Sequence, residues 1–210
     1  MAGRFSPDAQ HYPDMLGSFT HHGLTLEEAR RESLLNVVAG SDTSATTFRI
    51  IILHLLNNPH AYKKLVDEID EGIKAGKISS PATDPEARQL PYLQAVIKEG
   101  LRIKAPRRRP PLETSPSLGR VIDGKFIPGG TQIGTSPFSI YHSKKIFSED
   151  ASMFVPERWL NVSPDRFADM ASTVDLVFSV GKYQCLGKPV AFMELNKIFA
   201  EASVFLIPLS

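Results

Sequence analysis

Apolar residues recur at spacings that predict long helices in the first half of the chain. Thr25 to Glu28 fits the capping-box pattern of a helix start, and no proline follows until Pro59. A helix over this stretch would contain about 33 residues and would be roughly 50 Å long. Because residues 48–56 are apolar on nearly every side, we expect this part of the helix to lie in the interior of a domain.

Two further helices have clear starts. Asn58 and Pro59 suit the N-cap and first position of one helix, which Gly76 would end and whose apolar face comprises Tyr62, Leu65, Val66, Ile69 and Ile73. Pro91 opens the next helix, which ends before Pro106 and whose inward residues are Leu93, Val96, Ile97 and Leu101.

The pattern changes between Pro106 and Trp159, where short β-like runs alternate with proline-rich turns. The run from Val121 to Ile127 predicts a tight hairpin through its central Asp-Gly pair. The last recognisable helix follows Gly187, and its apolar positions include Val190, Met193, Leu195 and Ile198. The expected fold class is therefore mainly α with a small β element.

Composition narrows the possible functions. The 210 residues include 24 Lys and Arg against 23 Asp and Glu, so the net charge of +1 lacks the basic excess of nucleic-acid-binding domains. The single cysteine excludes an intrachain disulfide framework and any multi-cysteine zinc or iron–sulfur site. The first ten residues lack the apolar core of a signal peptide, and the run from Ile50 to Leu56 is too short to span a bilayer.

Residues 39–47 place glycine, serine and threonine in the middle of the long predicted helix. Glycine costs about 1 kcal/mol there relative to alanine, and serine and threonine compete for backbone hydrogen bonds. One interpretation is a small-residue crossing at which another helix packs closely. The other is a local opening in which Thr43 offers its hydroxyl to a bound small molecule while Asp42 relays protons.

Glu99 and Arg102 lie three residues apart, on one helix face, and can form an ion pair. An exposed pair of this kind contributes less than about 1 kcal/mol. If Val96 and Leu101 mark the buried side of the helix, the pair is instead a structural staple.

Cys185 lies between Gly181 and Gly187, just before the last predicted helix. The helix dipole and the exposed backbone N–H groups stabilise a thiolate at such a place, which suits it to hold a metal. The alternatives are an inert buried thiol and a nucleophile paired with His142.

Together these segments resemble the C-terminal half of a cytochrome P-450, a haem-thiolate monooxygenase, over residues 25–203. Residues 39–44 resemble the oxygen-activation stretch of the family's long central helix. The run 98–102 matches its Glu-x-x-Arg helix, and the run 154–159 matches the segment whose arginine completes a salt-bridge triad. Phe178-x-x-Gly181-x-x-x-Cys185-x-Gly187 matches the haem-binding loop. Residues 90–99 and 184–189 are further similar to the fungal branch that includes pisatin demethylase.

For the loop, the resemblance implies that Cys185 is the axial ligand of the iron in haem b. Gly181 and Gly187 would let the backbone pass close to the porphyrin, and Phe178 would shield the sulfur. Family members usually carry an arginine two residues before the ligand, where it pairs with a haem propionate. That position is Tyr183 here, and the nearest base in the cofactor-binding loop is Lys182.

For the helices, the resemblance implies that Asp42 and Thr43 are catalytic and deliver protons to dioxygen. Glu99, Arg102 and Arg158 would form the structural triad and take no direct part in the chemistry.

The resemblance implies a reaction in which one atom of dioxygen enters a small organic substrate. The fungal branch suggests aromatic compounds or secondary metabolites as substrates, and NADPH would supply electrons through a reductase. No nucleic-acid partner is expected. The alternative is a non-catalytic remnant that does not retain haem, or a partner-binding fragment.

Relative to the family, we expect a domain truncated at both ends. Residues 1–24 would be an irregular lead-in, residues 25–203 a partial haem-thiolate monooxygenase domain, and residues 204–210 an atypical tail. The full-length relatives are expected at the endoplasmic reticulum membrane, whereas a chain without an anchor or signal would be cytoplasmic.

Overall fold

The computed structural model describes residues 2–6, 10, 12–106 and 113–205. These residues belong to two compact units that divide between Thr43 and Ser44. The helices are α1 (Met15–His21), α2 (Leu26–Leu56), α3 (Pro59–Lys74), α4 (Asp84–Ala87), α5 (Pro91–Ile103), α6 (Pro137–Tyr141), α7 (Lys144–Phe147), α8 (Pro164–Asp175) and α9 (Lys188–Phe205). The strands are β1 (Glu113–Thr114), β2 (Arg120–Ile122), β3 (Lys125–Ile127) and β4 (Gln132–Ile133), and 3₁₀ turns cover Ala2–Phe5, Pro156–Trp159, Leu176–Phe178 and Gly181–Tyr183. The predicted class, mainly α with a small β element, is confirmed.

The first unit contains a helix where the sequence predicted an irregular lead-in. Asp14 caps α1 by accepting a hydrogen bond from the backbone N–H of Gly17 at 2.8 Å, and its carboxylate pairs with Arg4 at 2.7 Å. A capped first turn is enough to start this short helix, so the expectation of irregular structure over residues 1–24 is wrong for Met15–His21. At the start of α2, the backbone N–H of Thr25 donates to Glu28 at 2.8 Å and closes the predicted capping box.

The apolar surface of α2 is covered on one side only. Ile51 and Leu55 are buried, whereas Leu53 and Leu56 are about half exposed. The expectation of an interior helix over residues 48–56 is therefore wrong for one side. The part of α2 in the first unit also carries large apolar residues that are more than half exposed, namely Leu34, Leu35, Val37 and Val38.

In the second unit, α5 is the central helix. It packs against α3, α8, α9 and the turn Pro156–Trp159. The four residues predicted to face inward are all buried, namely Leu93, Val96, Ile97 and Leu101. The pattern of apolar positions thus identified the buried face of this helix correctly.

The ends of α3 follow local chemical rules. Its N-cap, Asn58, accepts a hydrogen bond from the backbone N–H of Ala61 at 3.2 Å. At the other end Gly76 has a φ of +68°, and the N–H of Lys77 donates to the carbonyl of Gly72 at 2.9 Å. This is a Schellman motif, which requires a residue that tolerates positive φ, and it explains why the predicted stop at Gly76 is confirmed.

The β element consists of two separate antiparallel pairs. In the β2–β3 pair Arg120 lies opposite Ile127, and the connecting residues Asp123 and Gly124 have φ values of +48° and +72°. Positive φ at both central residues defines the type I′ turn that the Asp-Gly pair predicted. Strand β1 pairs with β4, with Glu113 opposite Ile133.

Helix α9 begins directly after Gly187, as predicted, but its buried face differs from the list of apolar positions. Leu195, Phe199 and Ala200 are buried, whereas Val190, Met193 and Ile198 are about half exposed. The expected tail over residues 204–210 lies outside the described residues from position 206 onward. Among the helices of the described ranges, none has the length and apolar content to cross a membrane.

A close approach between α5 and α2 generates a stability prediction. A Cβ on Gly100 would overlap Cγ1 of Ile51 and lie 2.7 Å from its Cδ1, and the Ile51 side chain is fully buried. We therefore expect Gly100→Ala to lower the free energy of unfolding by about 1–3 kcal/mol, measured by urea denaturation.

The matched control is Gly40→Ala, because a Cβ at Gly40 meets nothing within 4 Å. It should raise the stability of α2 by up to about 1 kcal/mol through helix propensity alone. Equal shifts for the two variants would contradict the assignment of a steric constraint to Gly100.

Candidate functional site

The Glu99 carboxylate is fully buried and lies at the centre of a network of donors. Its Oε1 is 2.7 Å from Nη2 of Arg102 and 3.0 Å from Nε of Arg158. The backbone N–H of Val155 donates to the same oxygen, and the indole N–H of Trp159 donates to Oε2, both at 2.9 Å. A buried charge is tolerated only when it is paired and hydrogen-bonded in this way, so the pair is a buried staple and not a surface ion pair.

Arg102 extends the network from α5 to the segment from Tyr141 to Met153. Its guanidinium is fully buried and donates to the carbonyls of Tyr141, Ala151 and Met153 at 2.7, 2.6 and 2.8 Å. The planar fork of arginine supplies these donors while Nε and Nη2 still bind Glu99. One side chain therefore holds the last residue of α6 and two positions of the segment that follows it.

Arg158 completes the triad and brings in residues that the sequence did not indicate. Its Nη1 donates to Asp150 at 2.9 Å and to the carbonyl of Phe147. Asp150 and Trp159 are thus members of the network that the motif-based prediction missed. Trp159 lies next to Arg158 in the matched segment, but its bond to Glu99 depends on a contact across 60 positions in the chain.

Two titratable groups beside the network are perturbed by burial. His54 stacks on Phe154, with ring centroids 4.9 Å apart and planes at 6°, and burial lowers its pKa below the ordinary 6.5, although the Glu99 carboxylate opposes this shift. Burial likewise lowers the pKa of Lys98, whose ammonium lies 5.7 Å from the ring centroid of Phe167.

The loop that carries Cys185 has a defined backbone. The chain leaves the turn Leu176–Phe178 through Ser179, which has a φ of +60°, and turns again at Gly181, with a φ of +61°. The N–H of Cys185 donates to the carbonyl of Phe178 at 2.7 Å and closes the loop. Helix α9 begins three residues after the cysteine, so the thiol lies before the N-terminus of a helix of 18 residues.

The side chains of this loop present an open, mostly apolar surface. The Cys185 thiol is exposed, which rules out the inert buried thiol. Leu186 is 97% exposed, and Val180 and Tyr183 are also exposed. A Cβ on Gly187 would lie 3.7 Å from the cysteine sulfur, so glycine leaves additional room beside the thiol.

Contacts with helices α8 and α9 and within the loop itself support the loop. The ring of Phe178 is buried against that of Phe192, with centroids 5.5 Å apart. Lys188 forms an ion pair with Asp175 at 3.0 Å, and the ammonium of Lys182 lies 4.8 Å from the ring centroid of Tyr183.

The pairing of Cys185 with His142 is not formed among the described residues. The His142 ring stacks on Phe138, with centroids 4.2 Å apart, and its Nδ1 lies 3.0 Å from the carbonyl oxygen of the same residue. Among the described residues, the partner of the His142 ring is thus Phe138 and not Cys185.

Asp42 and Thr43 lie in the first unit, on an exposed part of α2. The Thr43 hydroxyl donates to the carbonyl of Ala39 at 2.7 Å, and residues 39–47 are α-helical throughout. The expected local opening is therefore absent from this stretch. The expected close crossing is absent at Gly40, where a Cβ would meet no atom within 4 Å in the described part of the chain.

The structure brings together two of the three predicted groups of residues, each within the second unit. Glu99, Arg102 and Arg158 share one buried network, and the five loop residues predicted to bind a cofactor occupy one exposed loop: Phe178, Gly181, Lys182, Cys185 and Gly187. A contact that the sequence did not indicate joins Ser44 of α2 to Glu194 of α9 at 2.8 Å.

Comparison with known proteins identifies the relatives of the chain. A sequence model of the family described as Cytochrome P450 matches residues 14–202. A cytochrome P450 monooxygenase ABA1 of Pyricularia oryzae is 45% identical over 202 residues, and a cytochrome P450 monooxygenase aba1 of Botryotinia fuckeliana is 42% identical over 203. These alignments cover 96% and 94% of the chain but 40% and 39% of the relatives. A pisatin demethylase of Fusarium vanettenii is 36% identical over 83% of the chain and 32% of its own length.

The Glu99 network generates a second stability prediction. Glu99→Gln removes the charge that compensates two buried guanidinium groups, so we expect the free energy of unfolding to fall by about 3–5 kcal/mol. Asp67→Asn is the matched control, because it breaks an exposed pair with Lys63 at 2.8 Å and should change stability by less than about 0.5 kcal/mol. Urea denaturation of both variants measures the difference, and similar losses would contradict the role of burial.

His54 predicts a pH dependence of stability. Because burial lowers its pKa in the folded chain, the unfolded chain takes up a proton first as the pH falls below about 6.5. The stabilisation is fully present above that pH and is lost as the pH falls through the lower folded-state pKa. His54→Phe keeps a ring against Phe154, so its urea midpoint should fall less between pH 7.5 and 5.5 than that of the unchanged chain. Equal falls would contradict the prediction.

Proposed function

The chain belongs to the cytochrome P450 family, which confirms the resemblance found in its sequence, and from this membership we propose that it functions in a haem-thiolate monooxygenase with Cys185 as the axial ligand. The observation that carries the proposal is the exposed thiol in a closed loop before α9. The chain spans about 40% of the length of the ABA1 and aba1 relatives. The reaction is therefore proposed for the protein in which these residues act.

The donor set fits a haem better than a metal held by protein ligands alone. Within the described ranges, no group of three or more His, Cys, Asp or Glu side chains could hold a metal ion. A lone thiolate suits an iron whose other ligands come from a macrocycle. The exposed apolar side chains of Val180 and Leu186 and the absence of a Cβ at Gly187 suit the close approach of a flat apolar group.

The loop residues have distinct proposed roles. A haem bound through a thiolate supplies the activation of dioxygen, so that one oxygen atom enters the substrate and the other leaves as water. Cys185 would provide the thiolate, and the bond from its N–H to Phe178 would hold the sulfur in place. Because α9 starts three residues later, its positive end stabilises negative charge on this sulfur. Phe178 would shield the sulfur from water on the protein side.

Asp42 and Thr43 are proposed to deliver protons during the reaction. A carboxyl and a hydroxyl at neighbouring positions can pass a proton between solvent and a bound molecule. The bond from Thr43 to the carbonyl of Ala39 fixes the position of the hydroxyl oxygen on the surface of α2.

Glu99, Arg102 and Arg158 are proposed to act only on the scaffold. Their charged groups are buried and saturated by one another and by backbone carbonyls, which leaves no open position for a reacting molecule. They fix α5, against which both α9 and the turn Pro156–Trp159 pack.

The remaining components of the reaction are proposed from the relatives. We expect electrons from NADPH through a reductase and a small organic substrate, such as a fungal secondary metabolite. One relative is named pisatin demethylase, a name that supports a small-molecule substrate.

A second candidate is a non-catalytic chain that takes up no haem. Four large apolar residues of α2 are exposed, namely Leu34, Leu35, Val37 and Val38. An uncovered apolar face of this kind promotes association with other proteins, which favours this candidate. Haem uptake distinguishes the two candidates.

The test is the absorption spectrum of the haem-supplied chain after reduction and addition of carbon monoxide. The unchanged chain should show the Soret band typical of thiolate ligation, and Cys185→Ala should abolish it because no other described residue replaces the thiolate. Cys185→His should move the band to the position typical of nitrogen ligation.

Met153→Ala is the matched control, because it removes an exposed sulfur outside the loop and should leave the band unchanged. A thiolate band that survives in Cys185→Ala would refute the ligand assignment. The absence of haem uptake by the unchanged chain would favour the second candidate.

A further inference from the structure

A pocket of about 280 Å³ lies beside the Cys185 loop, between it and the small β element. Leu176, Ser179 and Val180 line it from the loop side, and Thr114, Ser115 and Arg120 line it from the strands and their connection. The pocket is thus built by two segments that are far apart in the chain.

Ser115 is the unusual member of the lining. Its side-chain hydroxyl is buried and has no hydrogen-bond partner among the described residues, although a buried hydroxyl without a partner is costly. The backbone at this position is fixed, because its N–H donates to the carbonyl of Thr131 at 2.8 Å and its carbonyl accepts from Gly130 at 3.1 Å. Ser115 is therefore held in the wall of the pocket, and its hydroxyl is a hydrogen-bond donor that no described residue uses.

Arg120 gives the pocket its charge. It lies on β2, and it makes no ion pair with any of the described residues. None of the described residues that line the pocket is acidic. A single guanidinium, several hydroxyls and apolar walls match a carboxylate on an apolar stem.

We propose that Ser115 and Arg120 bind a carboxylate of the haem held by Cys185, in the role that Tyr183 cannot fill. This inference rests on the proposed function. Tyr183 has no cationic group, and the ammonium of Lys182 lies over the tyrosine ring at 4.8 Å. The pocket shares Ser179 and Val180 with the Cys185 loop, so it adjoins the loop that would hold the haem.

The test compares haem with its dimethyl ester, which has the same ring but no free carboxylate. The rate of release from the full chain to apomyoglobin is followed by absorbance. Because Arg120 is exposed, Arg120→Gln should speed haem release by about three- to fivefold, and Arg120→Lys should restore part of the loss. Neither variant should change the release of the ester.

Ser115→Ala supplies a readout that a structural role would not give. Removing an unpartnered buried hydroxyl should raise the urea midpoint of the chain without haem, while haem release becomes up to about tenfold faster. Lys125→Gln is the matched control, since it removes a cation from the same hairpin outside the pocket lining. It should change neither the release rate of haem nor that of the dimethyl ester.

The outcomes separate this assignment from the proposed function. Equal release rates for haem and ester in every variant, with an intact thiolate band, would overturn the carboxylate assignment alone. An unchanged haem rate together with weaker benzoate binding by Arg120→Gln would give the pocket to a free carboxylate and overturn the haem assignment. A failure of the unchanged chain to take up either porphyrin would overturn both.

Discussion

The second unit depends on the neutralisation of one carboxylate. Glu99 has no access to water, so its charge persists only because Arg102, Arg158, Trp159 and a backbone N–H surround it. Two of these donors come from the turn Pro156–Trp159 and one from the residue before it. The donors reach the carboxylate only when the chain closes over some 60 positions, so burial of the charge requires that closure.

Helix α5, which carries Glu99 and Arg102, connects this network to the exposed thiol. α5 packs against α9, and a bond of 2.9 Å from Gln94 to the buried Asn196 fixes one helix against the other. The Cys185 loop joins directly to the start of α9, and Phe178 packs against Phe192 of that helix. A scaffold of buried charge thus carries a loop whose thiol is exposed, so the residues that stabilise the second unit differ from those proposed to bind a cofactor.

Local signals in the sequence predicted most of what local chemistry determines. The caps at Thr25 and Asn58, the glycine stop at Gly76 and the Asp-Gly hairpin are each formed, because each depends on a few adjacent residues. Ser163-Pro164 carries the same start signal as Asn58-Pro59 and would have revealed α8. The exposed sides of α2 and α9, the bond from Trp159 and the contact of Ser44 with Glu194 depend on distant partners, which periodicity does not encode.

Arg102 constrains the shape of its neighbours without constraining their identity. It binds the segment from Tyr141 to Met153 through three carbonyl oxygens, which every amino acid provides. The side chain of Met153 is 60% exposed, so as far as this contact is concerned that position can accept many residues. The arginine itself has no such freedom, because lysine lacks the fork that reaches Glu99 and the carbonyls together. One arginine thus holds the conformation of a segment whose own residues can vary without loss of these contacts.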